Sequence, residues 1–412
     1  MGNRVFGAAD VLLPRVKEMD KWAVVACDQY TSEPEYWARV RAFVGDAPSA
    51  LRLILPEAEL SGQDDAERIA AIHAAMREDL ACGVFAAHEA AFVYVERTLV
   101  SGAVRRGVVG AVDLEQYDYH AGAQCAVRAT EKTVEERIPP RMAIRQGAAV
   151  ELPHVLLLCD DERRGVVEPL TQQKGGLPLL YDFELMEHGG HISGYLVQGA
   201  QARELEARID AYEARCMAKN GLCYAVGDGN HSLAAAKACY EALKAEKPGA
   251  QETALARFAL VELENIRDEA QVFEPIHRIV TGVSPDALLE ALRARCGAAQ
   301  GHRVAWVSGE RRGELTLDAA VSPLAVGVLQ GFLDEYLPAC GGQIDYIHGE
   351  DVLARLAQRG DAVGFLLPPM EKGQLFDGVV QDGSLSRKTF SMGHACEKRY
   401  YLEARRLVPD GR

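Results

Sequence analysis

The spacing of apolar residues along the chain predicts a mixture of amphipathic helices and short strands. Helical spacing predicts helices at 64–80, 201–219 and 284–295. Short apolar runs predict strands at 22–27, 51–55, 91–100, 105–119, 154–161, 257–266, 362–369 and 398–407. The polar triplet 105–107 predicts a hairpin turn between two of these strands.

The order of these elements indicates the fold class. Helices and strands do not alternate strictly, which favours an α+β protein with mixed sheets and flanking helices over a doubly wound fold. No shift of composition marks a domain boundary. We therefore expect residues 1–412 to form a single unit of intertwined architecture.

Composition restricts the class of partner. The chain of 412 residues carries 45 Lys and Arg against 60 Asp and Glu, a formal net charge of −15. Such a chain repels nucleic-acid phosphates, so we expect no nucleic-acid partner. The N-terminal segment lacks the apolar stretch of a signal peptide, and no apolar run reaches the ~18 residues of a membrane span. We expect a cytoplasmic protein with no membrane partner and with reduced cysteines.

A polar loop at 227–232 is the first candidate site. It reads Gly-Asp-Gly-Asn-His-Ser, and it lies between an apolar run at 223–226 and an alanine-rich helical stretch from about residue 233. A helix N-terminus presents backbone N–H groups and partial positive charge to an anion. Gly227 and Gly229 would let the backbone approach such a ligand closely.

The side chains of this loop could add chemistry of their own. Asp228 could hold a metal ion or accept a proton, His231 could donate to a phosphate oxygen, and Ser232 could cap the helix. The alternative is a plain capped turn in which Asp228 and Asn230 bond their own backbone. The Walker pattern is absent, and the dinucleotide fingerprint lacks its third glycine.

The segment 128–147 is unusually rich in arginine for an acidic chain. Arginine pairs with phosphate or carboxylate through two parallel hydrogen bonds. The alternative is a solvated charged face in which glutamates pair with these arginines. Two further segments carry candidates: 273–280, where charged residues interrupt an apolar run, and 386–399. Asp28, at the end of the first predicted strand, is a further candidate.

Taken together, the motifs resemble those of the domain of unknown function 1015 family. The matching stretches occur in the family's order and span most of the chain, at 24–37, 128–141, 227–237, 274–278 and 386–393. The family motif usually reads Asp-Gly-His-His-Arg, whereas this chain has Asp-Gly-Asn-His-Ser at 228–232. The family element His-Glu-x-Thr is also changed, although Glu131 and Thr133 are kept.

The resemblance implies a fold and an activity. The Asp-Gly-x-His motif is similar to that of the ParB/sulfiredoxin-like fold, a group that includes free-serine kinases, so a core of that fold is expected. The implied activity is phosphoryl transfer between a nucleotide, ADP or ATP, and serine or phosphoserine in serine metabolism, with Mg²⁺. This rests on analogy of fold and motif. The sequence is compatible with a homodimer and does not fix the oligomeric state.

In this hypothesis three residues are catalytic. Asp228 holds Mg²⁺, His231 bonds the transferring group, and Glu131 is the general base toward serine. The residues expected to bind phosphate, nucleotide or serine are Arg128, Thr133, Arg137, Arg141, Gly227, Gly229, Asn230, Ser232, His277, Arg278, Lys388 and Ser391.

Two other classes of function stay open. One is a nucleotide-binding regulatory protein without catalysis. The other is a metal-dependent phosphoserine hydrolase with Asp28, Asp228 and His231 as ligands. Thiol chemistry of the sulfiredoxin type would need a cysteine in the loop, and 227–232 contains none.

Overall fold

A computed structural model of the chain describes residues 4–409, except for 61, 63 and 121. Within these residues the chain forms two compact units. The larger unit contains the chain up to Ala129, then Thr133–Gln271, and the chain from His394 onward. The smaller unit contains Thr130–Lys132 and Val272–Gly393. That the whole chain acts as one family-length unit stays a prediction.

The strands, in chain order, are β1 (Phe6–Gly7), β2 (Ala9–Pro14), β3 (Val24–Val25), β4 (Phe85–Thr98), β5 (Val104–Asp113), β6 (Tyr117–Asp118), β7 (Val127–Ala129), β8 (Val150–Glu151), β9 (Leu156–Cys159), β10 (Leu179–Leu185), β11 (Gly190–Val197), β12 (Tyr224–Asp228), β13 (Phe258–Asn265), β14 (Phe273–Pro275), β15 (His277–Thr281), β16 (Gly297–Ser308), β17 (Arg311–Leu317), β18 (Gln343–Ile347), β19 (Ala362–Leu366), β20 (Phe390–Met392), β21 (Tyr400–Tyr401) and β22 (Ala404–Arg406).

The α-helices are α1 (Met19–Trp22), α2 (Pro34–Val44), α3 (Asp65–Ala81), α4 (Ile138–Arg145), α5 (Pro169–Gln173), α6 (Ala200–Lys219), α7 (Asn230–Glu246), α8 (Gln251–Ala256), α9 (Pro285–Cys296), α10 (Ala325–Cys340), α11 (Glu350–Leu356) and α12 (Lys372–Asp382). Short 3₁₀ helices cover Ala50–Leu53, Glu57–Glu59, Leu114–Gln116, Glu135–Arg137, Lys174–Gly176 and Ala395–Glu397.

A large mixed sheet organises the larger unit. Its main path runs β6-β7-β12-β9-β13-β5-β4-β2-β22-β8, with β1, β10 and β11 joined at its side. The pairs β6–β7, β7–β12 and β9–β13 are parallel, and most of the others are antiparallel. This mixture of strand directions, with helices around the sheet, confirms the predicted α+β class with mixed sheets.

Each face of this sheet buries its own hydrophobic core, because successive residues of a strand point to opposite faces. In β4, Phe92 and Tyr94 enter the core that contains residues of α6 and α7. Val93 and Val95 enter the opposite core, which contains residues of α2 and α3. The sheet is therefore a middle layer that carries the start of α7 on one face.

The smaller unit has a five-stranded sheet of its own, in the order β17-β16-β19-β15-β18. Ile279 of β15, Val307 of β16 and Leu353 of α11 share its core. A two-stranded ribbon pairs β14 with β20, so that Glu274 lies opposite Ser391. A single parallel bridge joins Glu131 to Leu385. The segments 130–132 and 385–392 therefore meet within this unit.

Most of the long predicted elements are confirmed. The helices predicted at 64–80, 201–219 and 284–295 appear as α3, α6 and α9, and the strand predicted at 257–266 is β13. The run 51–55 was wrongly predicted as a strand, because Ser49 accepts from the N–H of Leu51 and starts a 3₁₀ helix there. The run 22–27 has strand pairing only at Val24–Val25.

The hairpin turn predicted at 105–107 is also wrong. The chain turns at Leu99–Ala103, where Gly102 has φ +83° and the N–H of Leu99 donates to the carbonyl of Ala103 over 2.8 Å. Arg105 lies inside β5 and is buried, and its Nε lies 2.9 Å from Oε1 of Glu264. The polar residues of this buried ion pair made part of a central strand look like a turn in the sequence.

A helix suited to crossing a membrane, which needs about 20 mainly apolar residues, is absent from the described residues.

Candidate functional site

The polar loop joins a strand to a helix, as its sequence predicted. Strand β12 ends at Asp228, and α7 begins at Asn230. Gly229 between them has φ +79°, a left-handed conformation that favours glycine. A Cβ atom there would lie 3.0 Å from Cγ2 and 3.1 Å from Cα of Val155. Close packing against the backbone and side chain of Val155 therefore also requires a glycine at this position.

The helix begins about three residues earlier than predicted, which changes the role of Ser232. The residue at the N-cap is Gly229, and Ser232 lies within the first turn of α7. The prediction that Ser232 caps the helix is therefore wrong. Its hydroxyl instead lies 2.7 Å from Nε2 of His154.

Asp228 is held between a backbone donor and a lysine. Its Oδ1 accepts from the N–H of Gly229 over 3.0 Å, and its Oδ2 lies 3.3 Å from Nζ of Lys398. Both side chains of this ion pair are largely buried, at 22% and 13% exposure. Lys398 thus brings a positive charge to the candidate loop.

Two buried arginines hold the segment that carries Lys398. Arg97 donates to the carbonyl oxygens of Cys396 and Lys398, each over 2.6 Å. Arg105 donates to the carbonyl of Glu397 over 3.0 Å. Since these bonds fix three consecutive carbonyls, Lys398 is presented to Asp228 by a constrained backbone.

Asp28 and His154 add ionisable groups to the same region of the larger unit. Burial raises the pKa of the Asp28 carboxyl, but His154 and the Gln29 amide oppose this effect. Together with Arg141 and Lys398 they outweigh burial, so the pKa of Asp28 is lowered below its usual value. Asp28 is therefore an anion near the Gln29 amide and the positive charges of Arg141 and Lys398.

His231 links the loop to the arginine-rich segment. Its Nε2 accepts a hydrogen bond from the backbone N–H of Val134 over 3.2 Å. On either side of this contact, Oδ1 of Asn230 and Oγ1 of Thr133 are buried without a hydrogen-bond partner among the described residues. Thr133 is only 6% exposed. Buried polar atoms rarely stay unsatisfied, so these two atoms have unused hydrogen-bonding capacity next to the contact.

The arginines of the segment are placed differently from one another. Arg141 donates to the carbonyl of Arg137 over 2.8 Å and pairs with Glu57. Arg137 is exposed in a 3₁₀ turn. Arg128 is 2% exposed, and its Nε donates to the carbonyl of Cys125 over 2.9 Å. This bond holds the Arg128 guanidinium toward Cys125, which precedes β7, whereas the segment that contacts the loop follows β7.

A mainly apolar cavity of about 140 Å³ adjoins the loop within the larger unit. Its polar lining includes Ser232, His154, Tyr401 and Arg141, and aliphatic side chains from 53–55, 144–155 and 233–236 form much of the rest. A polar edge on an apolar hollow is typical of small-molecule sites.

The smaller unit assembles a second set of predicted residues around Glu131. The Glu131 carboxylate accepts hydrogen bonds from the backbone N–H groups of Lys388 and Thr389. Burial nevertheless raises the pKa of Glu131, against the opposing effect of these bonds and of the charges of Lys388 and Arg278. Lys388 has φ +54°, an uncommon conformation for a side chain of this size. The loop at Lys388 thus directs two backbone N–H groups at a buried carboxyl group.

Other predicted residues of the smaller unit already have protein partners. Arg278 is fully buried and donates to Gln330 Oε1 and to the carbonyls of Ile276 and Arg387, over 2.6–2.8 Å. His277 is buried and accepts from the N–H of Leu367 over 3.1 Å. The Ser391 hydroxyl donates to a backbone carbonyl, that of Gly393. Arg278 and His277 are therefore placed to position backbone.

The ligand set of the hydrolase alternative is not assembled. Within the described part of the chain, no three His, Cys, Asp or Glu side chains form a group that could hold a metal ion. The hydrolase needed Asp28, Asp228 and His231 as such a group. A magnesium ion bound through one carboxylate and nucleotide phosphates requires no such cluster.

Sequence reasoning did not name Lys398 or His154 as site residues, although Lys398 lies in the candidate segment 386–399. Both lay inside runs predicted as strands, and their positions depend on partners far away in the chain. His154 at the very start of an apolar run was a weak signal, because a strand end is a common place for binding residues. Nothing in the sequence around Lys398 distinguishes it from a surface lysine.

The solved structures that match this chain are only weakly similar to it. SbnI from Staphylococcus aureus, with a C-terminal truncation, has a TM-score of 0.36 and 12% identity, covering 69% of this chain and 83% of that one. A conserved hypothetical protein from Pyrococcus furiosus has a TM-score of 0.36 and 13% identity, covering 72% and 94%. A free serine kinase in complex with AMP has a TM-score of 0.37 and 12% identity, covering 72% and 91%. These TM-scores are too low to establish a shared fold, so the ParB/sulfiredoxin-like core stays a prediction.

The family is nevertheless identified from the sequence. No curated protein matches the chain. The model of the family described as "Protein of unknown function (DUF1015)" matches residues 12–404, nearly the whole chain. This range includes the loop, the arginine-rich segment and the loop at Lys388. The chain belongs to the DUF1015 family.

Proposed function

We propose that this protein transfers a phosphoryl group between a nucleotide, ADP or ATP, and serine or phosphoserine. The motif resemblance supplies the reaction class. The observation that carries the proposal is the set of groups at the start of α7. There Asp228 pairs with Lys398, His231 contacts Val134, and unsatisfied buried polar atoms flank that contact.

The start of α7 supplies the means to hold phosphate. The helix dipole places partial positive charge beside the loop. Lys398 adds a full charge, held in place by the carbonyl contacts of Arg97 and Arg105. Thr133 could donate its hydroxyl proton to a phosphate oxygen. Phosphoryl transfer depends mainly on such positioning and neutralisation of charge.

Asp228 is the residue that would hold Mg²⁺. Each carboxylate oxygen has two lone pairs, so the bonds to Gly229 and Lys398 leave acceptor capacity for a cation. The donor set fits an ion that is bound by one or two carboxylates and by substrate phosphates. When bound with a nucleotide, Mg²⁺ would neutralise charge that develops on the phosphates.

Glu131 is the proposed proton acceptor for the serine hydroxyl. A general base works best when its pKa lies closer to the working pH. Burial raises the pKa of Glu131, while the Lys388 and Thr389 N–H groups fix the orientation of its carboxylate. Lys388 would attract a substrate anion in the same unit. In this proposal Arg278 acts as a positioning residue, because its donors already bind protein acceptors.

The activity is tested by incubating the purified protein with ATP, serine and Mg²⁺ and measuring phosphoserine by mass spectrometry. The proposal expects phosphoserine from the wild type and a strong reduction in Asp228→Asn. Calorimetric binding of ADP without any phosphoserine would instead support a regulatory nucleotide-binding protein. The absence of both ADP binding and phosphoserine would overturn the proposal.

A further inference from the structure

Ser232 and His154 have the geometry of a nucleophile and its base. The Oγ atom of Ser232 lies 2.7 Å from Nε2 of His154, although 78 positions separate them in the chain. A serine hydroxyl is a weak nucleophile until an adjacent base removes its proton. In such sites a third group usually orients the base.

Tyr401 is that third group. Its hydroxyl lies 2.9 Å from Nδ1 of His154, and it accepts from the backbone N–H of Cys27 over 3.1 Å. The Tyr401 hydroxyl also hydrogen-bonds the side chain of Cys27. If the Tyr401 hydroxyl donates its proton to the Cys27 sulfur, its oxygen has two lone pairs left as acceptors. One accepts from the backbone N–H of Cys27, and the other accepts from Nδ1–H of His154. Nε2 is then the basic nitrogen and faces Ser232.

The surroundings keep His154 able to accept a proton. It is 8% exposed. Burial lowers its pKa from the usual 6.5, while Asp28 and Asp228 oppose this shift and Arg141 and Arg399 add to it. Burial therefore favours the neutral imidazole over the imidazolium. Asp28 and Asp228 would also stabilise the imidazolium that forms when the proton moves.

The cavity beside Ser232 indicates the class of substrate. Leu53, Met76, Ile144 and Leu233 are among its many apolar lining residues. Arg141, Arg145 and Glu151 also line it, but Arg141 is paired with Glu57, and Arg145 is paired with Glu151. With about 140 Å³, the space suits an uncharged group of a few carbon atoms.

From this geometry we propose that Ser232 is a nucleophile, activated by His154, toward short-chain carboxylic esters whose acyl group occupies the cavity. The Ser232 oxygen forms a bond to the carbonyl carbon as its proton passes to Nε2 of His154. The bond from that carbon to the alcohol oxygen then breaks, and the alcohol takes the proton from His154. Water cleaves the acyl-serine by the same route, so ester and water give acid and alcohol. This activity is separate from phosphoryl transfer.

The test uses a short-chain alkyl fluorophosphonate, which phosphonylates an activated serine with loss of fluoride. Intact-mass analysis should show one adduct on the full-length protein, and peptide analysis should place it on Ser232. Ser232→Ala should remove the adduct. His154→Gln should slow labelling by ~10²-fold or more, the usual contribution of a general base. Hydrolysis of p-nitrophenyl butyrate should be lost in Ser232→Ala and slowed in His154→Gln.

Two matched variants control for general effects. Ser101→Ala changes a serine in the exposed turn before β5, and His120→Gln changes an exposed histidine of the same unit. Both should label as the wild type does. Circular dichroism and thermal midpoints show whether the Ser232 and His154 variants are folded. An unlabelled wild type, an adduct on another serine, or an undiminished rate in folded His154→Gln would overturn the proposal.

Discussion

The backbone N–H of Val134 donates to Nε2 of His231 over 3.2 Å, joining two motifs that lie 97 positions apart. The bond fixes the state of the imidazole, because Nε2 acts as an acceptor and the neutral ring then carries its proton on Nδ1. The arginine-rich segment and the loop at 227–232 therefore meet within the larger unit. His231 is oriented by that segment before any ligand binds.

Removing the charge of Asp228 should impair catalysis more than folding. Asp228→Asn keeps the acceptor for the Gly229 N–H but loses the ion pair with Lys398 and the proposed magnesium ligand. We expect phosphoserine formation to fall by ~10²-fold or more, as for loss of an electrostatic catalytic group. Asp318→Asn, at a half-buried position just after β17 in the smaller unit, should keep wild-type turnover. Undiminished turnover in Asp228→Asn would remove Asp228 from the mechanism.

Lys398 should contribute mainly to nucleotide binding. A hydrogen bond to a charged group contributes about 1.5–3 kcal/mol, so Lys398→Gln should weaken ADP binding by roughly tenfold or more. Isothermal titration calorimetry measures this directly. Lys219→Gln, at the exposed end of α6, is the matched control and should bind normally. Equal affinities of the two variants would show that Lys398 does not contact phosphate.

Glu131 should be required for the chemical step. Glu131→Gln keeps the size and the acceptor for the Lys388 N–H but cannot take a proton. Turnover should fall by ~10²–10⁴-fold, the usual contribution of a general base, with little change in the thermal midpoint. The exposed Glu136, five residues later, provides the control Glu136→Gln. If both variants turned over equally, another group would have to be the base.

Glu131 should also determine how kcat/KM falls at acidic pH. A general base is active when deprotonated, so kcat/KM falls as the pH drops through its pKa. Because burial raises the pKa of Glu131 above 4.5, this fall should begin at a higher pH than for an exposed glutamate. The limb should disappear from the residual activity of Glu131→Gln. A limb that persists unchanged in this variant would belong to another residue.

Gly229 should be required for local packing as well as for backbone conformation. Gly229 and Gly249 both have φ +79°, but only at Gly229 would an added Cβ meet neighbouring atoms, those of Val155 and His154. Both Ala variants bear the left-handed strain, and Gly229→Ala adds an overpacking cost of about 1–3 kcal/mol. Urea unfolding should show this difference in the free energy of unfolding. Equal losses would mean that the loop can move away from Val155.

The sequence predicted the local parts of this protein better than its long-range contacts. Periodicity located α6 and β13, and glycine spacing located the loop before α7, because these signals lie within one element. Lys398 could not be predicted, since its position depends on the carbonyl contacts of Arg97 and Arg105, about 300 positions earlier. The buried pair of Arg105 with Glu264 likewise gave a central strand the appearance of a turn.

Neighbours in the sequence also proved to have different surroundings. Arg128, Glu131 and Thr133 were predicted to form one group because they lie within six residues. The Arg128 guanidinium binds the carbonyl of Cys125, and Thr133 lies beside the contact of Val134 with His231. Glu131 belongs to the smaller unit, where it meets Lys388. Side-chain direction in an extended segment depends on strand pairing, which residue type does not reveal.

The central claim is tested most directly by phosphorus NMR of the purified protein with phosphoserine, Mg²⁺ and ADP, beside a sample without ADP. Phosphoryl transfer predicts that ATP appears and phosphoserine disappears only when ADP is present. Free phosphate in both samples, or an unchanged spectrum from folded protein in both, would contradict the proposed activity.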